Sequence, residues 1–235
     1  MIGNKILEGI NLSISLADED KVIYPLREAN LYIREGEIAV IEGIRNSGKS
    51  LILSAFVGET PLHEGEIIIK DKNLSSITNE QDRKLWKLRH AFLIPEYYEL
   101  LDDATVEQNI ELPLILLDFS KRVCRRQMTL ACEAFQMLEI RDALASELTP
   151  ELTFRVLCAR ALVADPAVIL IDDPFTNLFK FFEGSSQRKL MDEINFCINI
   201  LKDLKRTVLI TARESVRYIY KDRLFRQLFS KLILS

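Results

Sequence analysis

The stretch Gly43-Ile44-Arg45-Asn46-Ser47-Gly48-Lys49-Ser50 follows an apolar run at residues 38–41 and has the spacing G-x-x-x-x-G-K-S. This order predicts a buried strand, then a glycine-containing loop, then a helix that begins where the loop ends. Backbone N–H groups and the positive end of the helix dipole then converge on one point and favour a bound phosphate. We expect Lys49 to reach the β- and γ-phosphates of a nucleotide and the Ser50 hydroxyl to ligate Mg²⁺.

A second motif supports this interpretation. The residues Val168-Ile169-Leu170-Ile171-Asp172 have the pattern of an apolar strand that ends in an acidic residue. P-loop ATPases place such an acid beside the Mg²⁺ ion. The alternative for the first stretch is a glycine-containing turn followed by a chance Lys-Ser pair, and the second motif weakens that alternative. Ser50 and Asp172 are therefore the predicted metal ligands.

The composition of the 235 residues excludes some classes of function. Lys and Arg number 31 against 35 Asp and Glu, which gives a net charge of -4, and no long block of one sign occurs. A protein that binds nucleic acid through its charge would be more basic, so we expect no nucleic-acid partner. Hydrophobic residues make up 48% of the chain. No apolar run reaches the roughly 18 residues that span a bilayer. Together these facts fit a protein that buries apolar surface against a partner.

The cysteines and the N-terminal residues indicate a location. Cys124, Cys132, Cys158 and Cys197 have neither metal-ligand nor redox spacing, so we expect them to be small core residues in a reducing compartment. Residues 1–7 lack the basic region and the uninterrupted apolar core of a signal peptide. The cytoplasm is therefore the expected location.

Hydrophobic periodicity predicts strands in the first part of the chain. Period-two alternation at residues 10–16 and 29–33 indicates antiparallel strands. Beyond the P-loop, the predicted elements are a helix at 51–57, a strand at 66–70, a charged helix at 82–90 and a short strand at 91–95.

Helical spacing then dominates residues 105–162. One predicted apolar face comprises Leu130, Ala131, Ala134, Phe135 and Leu138. Another comprises Phe154, Leu157, Cys158, Ala161 and Leu162. After the second motif we expect a long helix with apolar residues at 190–201 and a strand at 207–211. The chain is then expected to end in a helix with an apolar side formed by Leu224, Phe225, Leu228, Phe229 and Leu232.

The predicted fold class is accordingly α/β. It consists of a P-loop NTPase core with a mostly parallel sheet, an N-terminal antiparallel β region and an inserted helical subdomain. We expect one domain over residues 1–235, with the core at 1–100 and 163–235 and the helical subdomain at 101–162.

The order of these motifs resembles the nucleotide-binding subunit of ATP-binding-cassette (ABC) transporters over nearly the whole chain. Residues 74–89, 111–114, 159–166 and 172–175 are similar to the branch that serves lipoprotein release, lipid transport and division-type complexes. The resemblance implies ATP and Mg²⁺ as ligands and an integral membrane transporter subunit as partner. It also implies a second nucleotide-binding subunit, either a second copy or a related chain, and a peripheral position on the inner face of the cell membrane. The residues expected to bind the nucleotide are Gly43, Asn46, Ser47, Gly48, Lys49, Ser50 and Leu51.

Several positions depart from the family pattern. Glu96 stands where the family has a glutamine that senses Mg²⁺ and contacts the membrane subunit. Asp173 replaces the glutamate general base and is one methylene shorter, and moving a base by about an ångström can lower the rate on the order of a hundredfold. Ala212 replaces the switch histidine and has no donor or acceptor in its side chain. Phe179 replaces an aspartate, and Leu51 replaces a threonine whose hydroxyl contacts phosphate.

The family signature L-S-G-G-Q, which clamps the γ-phosphate bound by the opposite subunit, is also altered. The aligned residues are Leu148-Thr149-Pro150-Glu151-Leu152. Thr149 could replace the serine hydroxyl, but Pro150 lacks an N–H and Glu151 brings a carboxylate toward a phosphate. We expect this half-site to bind ATP poorly.

These departures affect hydrolysis more than binding. We therefore expect an ATP-binding subunit of an ABC-type membrane transport complex with weak hydrolysis, in which Asp173 and Glu96 are the candidate catalytic residues. The hypotheses are an ATPase motor that drives a membrane partner and a non-hydrolysing structural or regulatory subunit of such a complex. A cytosolic P-loop kinase or a DNA-repair ATPase fits less well, because the sequence shows no coiled-coil insertion and no acceptor-substrate motif.

Overall fold

The computed structural model describes residues 4–18, 21–44, 47–97, 99–175, 185–213 and 223–225. An antiparallel sheet with the strand order β2-β1-β4-β5 forms the N-terminal region. Its strands are β1 (Lys5–Asp18), β2 (Lys21–Arg34), β4 (Glu64–Ile69) and β5 (Lys72–Asn73). The long β1–β2 hairpin confirms the antiparallel strands that the period-two alternation predicts.

The second sheet has the order β6-β7-β8-β3-β9, and all of its neighbouring strands are parallel. Its strands are β3 (Ile38–Glu42), β6 (Ala91–Ile94), β7 (Val168–Ile171), β8 (Val208–Ala212) and β9 (Arg223–Phe225). The carboxyl ends of parallel strands meet at one edge of a sheet. The loops after β3, β6, β7 and β8 therefore lie side by side, as they do at ligand sites of open α/β sheets.

The helices lie where the helical periodicity predicts them. They are α1 (Lys49–Phe56), α2 (Glu80–Arg89), α3 (Val106–Leu116), α4 (Lys121–Ala134), α5 (Pro150–Ala164) and α6 (Ser185–Asp203). Within the described residues, three helix N-termini carry side-chain caps: Asn79 on α2, Thr105 with Gln108 as a capping box on α3, and Thr149 on α5. The α/β class with an all-helical stretch from α3 to α5 is thus confirmed.

The parallel sheet separates two apolar cores, because side chains alternate along each strand. In β7, Val168 and Leu170 belong to the cluster that contains α1 and the antiparallel sheet. Ile169 and Ile171 belong to the opposite cluster, which contains the buried sides of α3, α4, α5 and α6. The P-loop helix and the helical stretch therefore lie on opposite faces of one sheet.

A buried polar network fixes the loop between β6 and α3. Arg160 of α5 donates from Nε to the Asn109 carbonyl at 2.8 Å and from Nη1 to the Glu99 carbonyl at 3.1 Å. Burial lowers the pKa of Arg160 to about 10. The Asn109 amide in turn bonds the backbone of Leu101 in both directions, at 2.8 and 3.0 Å. Helices α3 and α5 together hold the segment that follows Glu96.

The prediction of a C-terminal helix is wrong for Leu224 and Phe225. Arg223–Phe225 form β9, which pairs in parallel with β3 through the partners Val40↔Leu224 and Ile41↔Phe225. A short apolar run is compatible with both a helix and a strand. The edge of β3 offers backbone hydrogen-bond partners, and these favour the strand. Leu228, Phe229 and Leu232 lie outside the described residues.

The predicted apolar face of α4 is also partly wrong. Leu130 and Leu138 are 50% and 48% exposed, and the helix ends at Ala134. The buried stripe instead consists of Cys124, Met128, Ala131, Cys132 and Phe135. This spacing places the side chains on one face of the helix. The sequence-based prediction did not include Cys124 and Met128, which begin this face.

The four cysteines are buried and free, as their spacing predicts. Cys197 and Cys158 lie in the apolar core beneath the parallel sheet, and burial raises the pKa of the Cys197 thiol. Along the stretches that the structure describes, no helix is both long and apolar enough to cross a membrane.

Candidate functional site

The loop after β3 is arranged around the ammonium group of Lys49. This side chain is 6% exposed, and Nζ donates to the carbonyls of Gly43 at 2.8 Å and Ile44 at 2.6 Å. Burial lowers the pKa of Lys49, while the nearby carboxylates of Asp173 and Asp172 partly offset that effect. The loop thus gathers carbonyls and a buried cation at the carboxyl edge of the sheet.

Gly48 is required where the loop turns into α1. Its backbone lies in the left-handed region with φ +86°, and it occupies the N-cap position of α1. A Cβ at this position would lie 2.9 Å from Cβ of Pro25 in β2. Both the backbone angle and the space exclude a larger residue. Ser47, the residue before it, is 1% exposed.

Asp172 connects β7 to both α1 and β8. Its Oδ1 accepts hydrogen bonds from Ser50 Oγ at 3.0 Å and from Thr211 Oγ1 at 2.6 Å. Its backbone N–H donates to the Ile94 carbonyl of β6 at 2.9 Å. Burial raises the pKa of Asp172, and the hydrogen bonds from Thr211 and Ser50 partly offset this rise.

These oxygen atoms fit Mg²⁺. A carboxylate and a hydroxyl are hard ligands, and Mg²⁺ in nucleotide sites takes one or two protein ligands while phosphate and water supply the others. A buried carboxylate with a raised pKa gains from a cation beside it. The described residues hold no group of three or more His, Cys, Asp or Glu that could bind a metal ion without such help.

Asp173 faces an arginine that sequence reasoning missed. Its N–H donates to Thr211 Oγ1 at 2.9 Å, and its Oδ2 lies 3.5 Å from Nε of Arg213. The Asp173 backbone has φ +33°, an uncommon value for a residue with a side chain. Arg213 follows β8 directly, yet nothing in its local sequence pattern marks it as a site residue.

The other predicted positions occupy different surroundings. Glu96 is half-buried after β6, and its charge acts to raise the pKa of Lys49. The Leu51 side chain packs against the apolar cluster around α1. Any contact of Leu51 with a nucleotide would therefore come from its backbone. Ala212 is 0% exposed and packs in the opposite cluster. Asn46 and Phe179 lie outside the described residues.

Residues 148–152, which the resemblance aligns with the family signature, lie at the start of α5. Thr149 is the N-cap, and its hydroxyl accepts from the Leu152 N–H at 3.5 Å. Pro150 is the first helical residue, where its missing N–H costs the helix nothing. Glu151 lies in the first turn and complements the positive end of the helix dipole. These residues satisfy the helix terminus internally.

The strand, loop and helix around Lys49, with the acidic end of β7 beside them, define a P-loop nucleotide-binding domain. A family model described as ABC transporter matches residues 26–176. The chain therefore belongs to the ABC transporter family of ATP-binding domains.

Individual proteins agree with this assignment. The lipoprotein-releasing system ATP-binding protein LolD of Buchnera aphidicola subsp. Schizaphis graminum is 29% identical over 224 residues, which cover 94% of this chain and 93% of that protein. The solved dimer of the ATP-binding cassette MJ0796 of Methanocaldococcus jannaschii, bound to ADP and Pi, has a TM-score of 0.75 at 21% identity and covers 94% of both chains. The structure of cbiO1 from Clostridium perfringens has a TM-score of 0.78 at 19% identity and covers 98% of this chain and 88% of that one. The two structures share the fold.

We predict that Asp172→Asn separates folding from metal binding. The amide oxygen can still accept from Ser50 and Thr211, while the buried negative charge is removed. Thermal melting in EDTA should therefore show equal or higher stability. Calorimetric titration with ATP should show that the benefit of Mg²⁺ to affinity falls by about tenfold or more.

Asp165→Asn is the matched control, because that carboxylate lies at the opposite end of β7 and is 70% exposed. It should leave the benefit of Mg²⁺ unchanged. A marked drop in the melting temperature of Asp172→Asn in EDTA would contradict the account, since it would mean that the fold needs the charge itself.

Proposed function

We propose that this chain is the ATP-binding subunit of an ABC-type membrane transport complex, and that it binds ATP with Mg²⁺ but hydrolyses it slowly. One observation carries the proposal: Lys49, Ser50 and Asp172 converge at one edge of the sheet. The positions that the family resemblance assigns to hydrolysis carry other residue types.

The nucleotide would be held mainly by the loop after β3. The proposed binding residues are Gly43, Asn46, Ser47, Gly48, Lys49, Ser50 and Leu51. Lys49 Nζ would exchange the carbonyls of Gly43 and Ile44 for phosphate oxygens, and the first backbone N–H groups of α1 would point at the same phosphates. Ser50 and Asp172 would hold Mg²⁺, which supplies charge neutralisation of the phosphates when bound.

The proposed slow hydrolysis is supported by the residues beside the site formed by Lys49, Ser50 and Asp172. Asp173 is the candidate base, but it is shorter than glutamate and its carboxylate lies toward Arg213 at 3.5 Å. A base must lie within hydrogen-bond reach of the attacking water to be effective. Glu96, the second catalytic candidate, adds negative charge near the phosphate position, where an amide would add none.

A second nucleotide-binding subunit would complete each site, and the dimeric state of the MJ0796 cassette supports this arrangement. In such a head-to-tail pair, the start of α5 of one subunit faces the P-loop of the other. Here the Thr149 hydroxyl is used as a cap, Pro150 lacks an N–H and Glu151 is anionic. A self-dimer would carry these defects twice, so a related and intact partner chain would improve only one of the two sites.

The membrane partner is proposed to bind the helical subdomain, residues 101–162, and the adjoining α2. A groove of about 690 Å³ there is lined by Glu80, Gln81, Lys84, Leu85, Lys87, Leu88 and Leu116. Leu116 in this lining is 57% exposed, and its neighbours Ile115 and Phe119 are 59% and 46% exposed. An apolar wall with a charged rim fits an amphipathic segment of a membrane subunit.

The names of the relatives support a proposal for the cargo and the location. The name of LolD, an ATP-binding protein of a lipoprotein-releasing system, supports lipoprotein or lipid as the cargo class here. We place the chain, as one domain over residues 1–235, in the cytoplasm and peripherally on the inner face of the cell membrane.

We predict that steady-state phosphate release by the purified protein is slower than about 1 s⁻¹, below the usual range of enzymes. It should lie within a few-fold of the rate of Lys49→Ala, because the base is misplaced and the opposing signature is altered. A coupled phosphate assay with Mg²⁺-ATP measures both rates. Turnover far above that of Lys49→Ala would instead support the motor hypothesis.

We also predict that Leu116→Glu abolishes recovery of a multispanning membrane protein with the tagged chain from detergent extracts. The new charge would lie in the groove wall, where an apolar segment is proposed to bind. Leu204→Glu is the control, because Leu204 is 44% exposed beyond the end of α6. Mass spectrometry of the recovered proteins provides the comparison. Equal recovery with both variants would place the docking surface elsewhere.

A further inference from the structure

Position 212 cannot supply a contact to phosphate in this chain. Ala212 is 0% exposed, and its methyl group packs in the same cluster as Val208 and Ile210, on the face of the sheet away from α1. Replacing it with histidine would require new volume in a packed core. A contact from the end of β8 to a phosphate on the P-loop would therefore have to come from a neighbour of Ala212.

Alternation along β8 indicates which neighbours face the site. Thr211 lies on the side of Asp172, to which its hydroxyl donates at 2.6 Å. Arg213 lies on the same side, because its Nε is 3.5 Å from Oδ2 of Asp173. The preceding carbonyl, that of Ala212, accepts the Gly43 N–H at 3.1 Å, so this strand end is hydrogen-bonded to the first glycine of the P-loop. Arg213 thus emerges directly beside the phosphate loop.

Among the described residues, one donor of the Arg213 guanidinium, its Nε–H, has no hydrogen-bond acceptor, although the side chain as a whole is 38% exposed. A charge-assisted hydrogen bond between nitrogen and carboxylate is about 2.7–2.9 Å long. The contact with Asp173 is longer, and the buried Nε makes no hydrogen bond within the part of the chain that the structure describes. A buried N–H without an acceptor is costly and gains from an incoming anion.

The charge balance also favours an anion here. The positive charge of Arg213 lowers the pKa of Lys49, while the negative charges of Asp173, Asp172 and Glu96 raise it. A terminal phosphate entering this space would repel the carboxylates. It would be attracted by both cations, of which the guanidinium offers a planar pair of donors that matches phosphate.

We propose that Arg213 binds the terminal phosphate of ATP in this chain and so distinguishes ATP from ADP. The guanidinium would turn from Asp173 to the γ-phosphate, a task that an imidazole at position 212 is expected to perform in the resemblance. No bond forms or breaks in this step. The inference rests on the proposed function, because it assumes that the P-loop binds ATP.

The test compares two nucleotides that differ at the terminal phosphate. Isothermal titration calorimetry with Mg²⁺-ADP and with the non-hydrolysable analogue Mg²⁺-AMPPNP gives both Kd values for each variant. For Arg213→Ala we expect about 10- to 100-fold weaker AMPPNP binding, the loss of one or two hydrogen bonds to a charged group. The Kd for ADP should not change. Arg213→Lys should fall between, because lysine keeps the charge but loses the planar pair of donors.

Arg206→Ala is the matched control, since Arg206 lies at the amino end of β8 and pairs with Asp165 away from the P-loop. It should change neither affinity. Unchanged ADP affinity in Arg213→Ala also shows that the variant is folded. An equal loss for both nucleotides, or no loss for either, would overturn the role of Arg213 while leaving the proposed function intact. Failure of the wild-type chain to bind either nucleotide would overturn the proposed function and this inference with it.

Discussion

The hydroxyl of Thr211 holds the two acidic residues after β7 in place. It donates to Asp172 Oδ1 at 2.6 Å and accepts the Asp173 N–H at 2.9 Å. One buried side chain at the end of β8 therefore fixes the acid proposed to bind Mg²⁺ and orients the acid proposed to act as base. Because Asp172 also accepts from Ser50 of α1, the same contact ties the P-loop helix to the centre of the sheet. The proposed nucleotide site depends on this alignment of strand ends.

The proposed separation of nucleotide binding from hydrolysis can be traced to the positions of the residues involved. Lys49 and Ser50 lie in the first turn of α1, and Asp172 directly follows the buried strand β7. The altered positions Glu96, Asp173 and Glu151 lie after β6, after β7 and in the first turn of α5. In the proposed account, substitutions at these positions change the catalytic geometry and leave the P-loop residues in place.

The sequence alone predicts the parts that depend on local order. The strand, loop and helix around Lys49 and the acidic end of β7 follow from spacing, and so do the antiparallel hairpin and the helices from residue 105 onward. The apolar face of α4 was placed partly wrongly, because Leu130 and Leu138 resemble core residues only while the start of the helix is unknown. The strand at 223–225 depends on the open edge of β3, which no local pattern contains.

Long-range contacts explain what the sequence missed at the site. Thr211 and Arg213 are separated by some forty positions from Asp172 and Asp173, and only the parallel pairing of β7 and β8 brings them together. The resemblance directs attention to position 212, whereas the alternation of side chains at this strand end turns 211 and 213 toward the P-loop. Ala212 and Arg213 are therefore adjacent in sequence, but their side chains lie on opposite sides of the end of β8. Arg213 is the residue proposed to take over the contact that Ala212 cannot make.

The identity of the retained nucleotide tests the central claim most directly. The protein is mixed with Mg²⁺-ATP, passed quickly through a desalting column, denatured and analysed for bound ATP and ADP. Lys49→Ala, which lacks the proposed phosphate-binding ammonium group, is the control. The account predicts that intact ATP stays with the wild-type chain and that Lys49→Ala retains almost none. Recovery of ADP alone from the wild-type chain would contradict it, because hydrolysis would then be fast on the time scale of the separation.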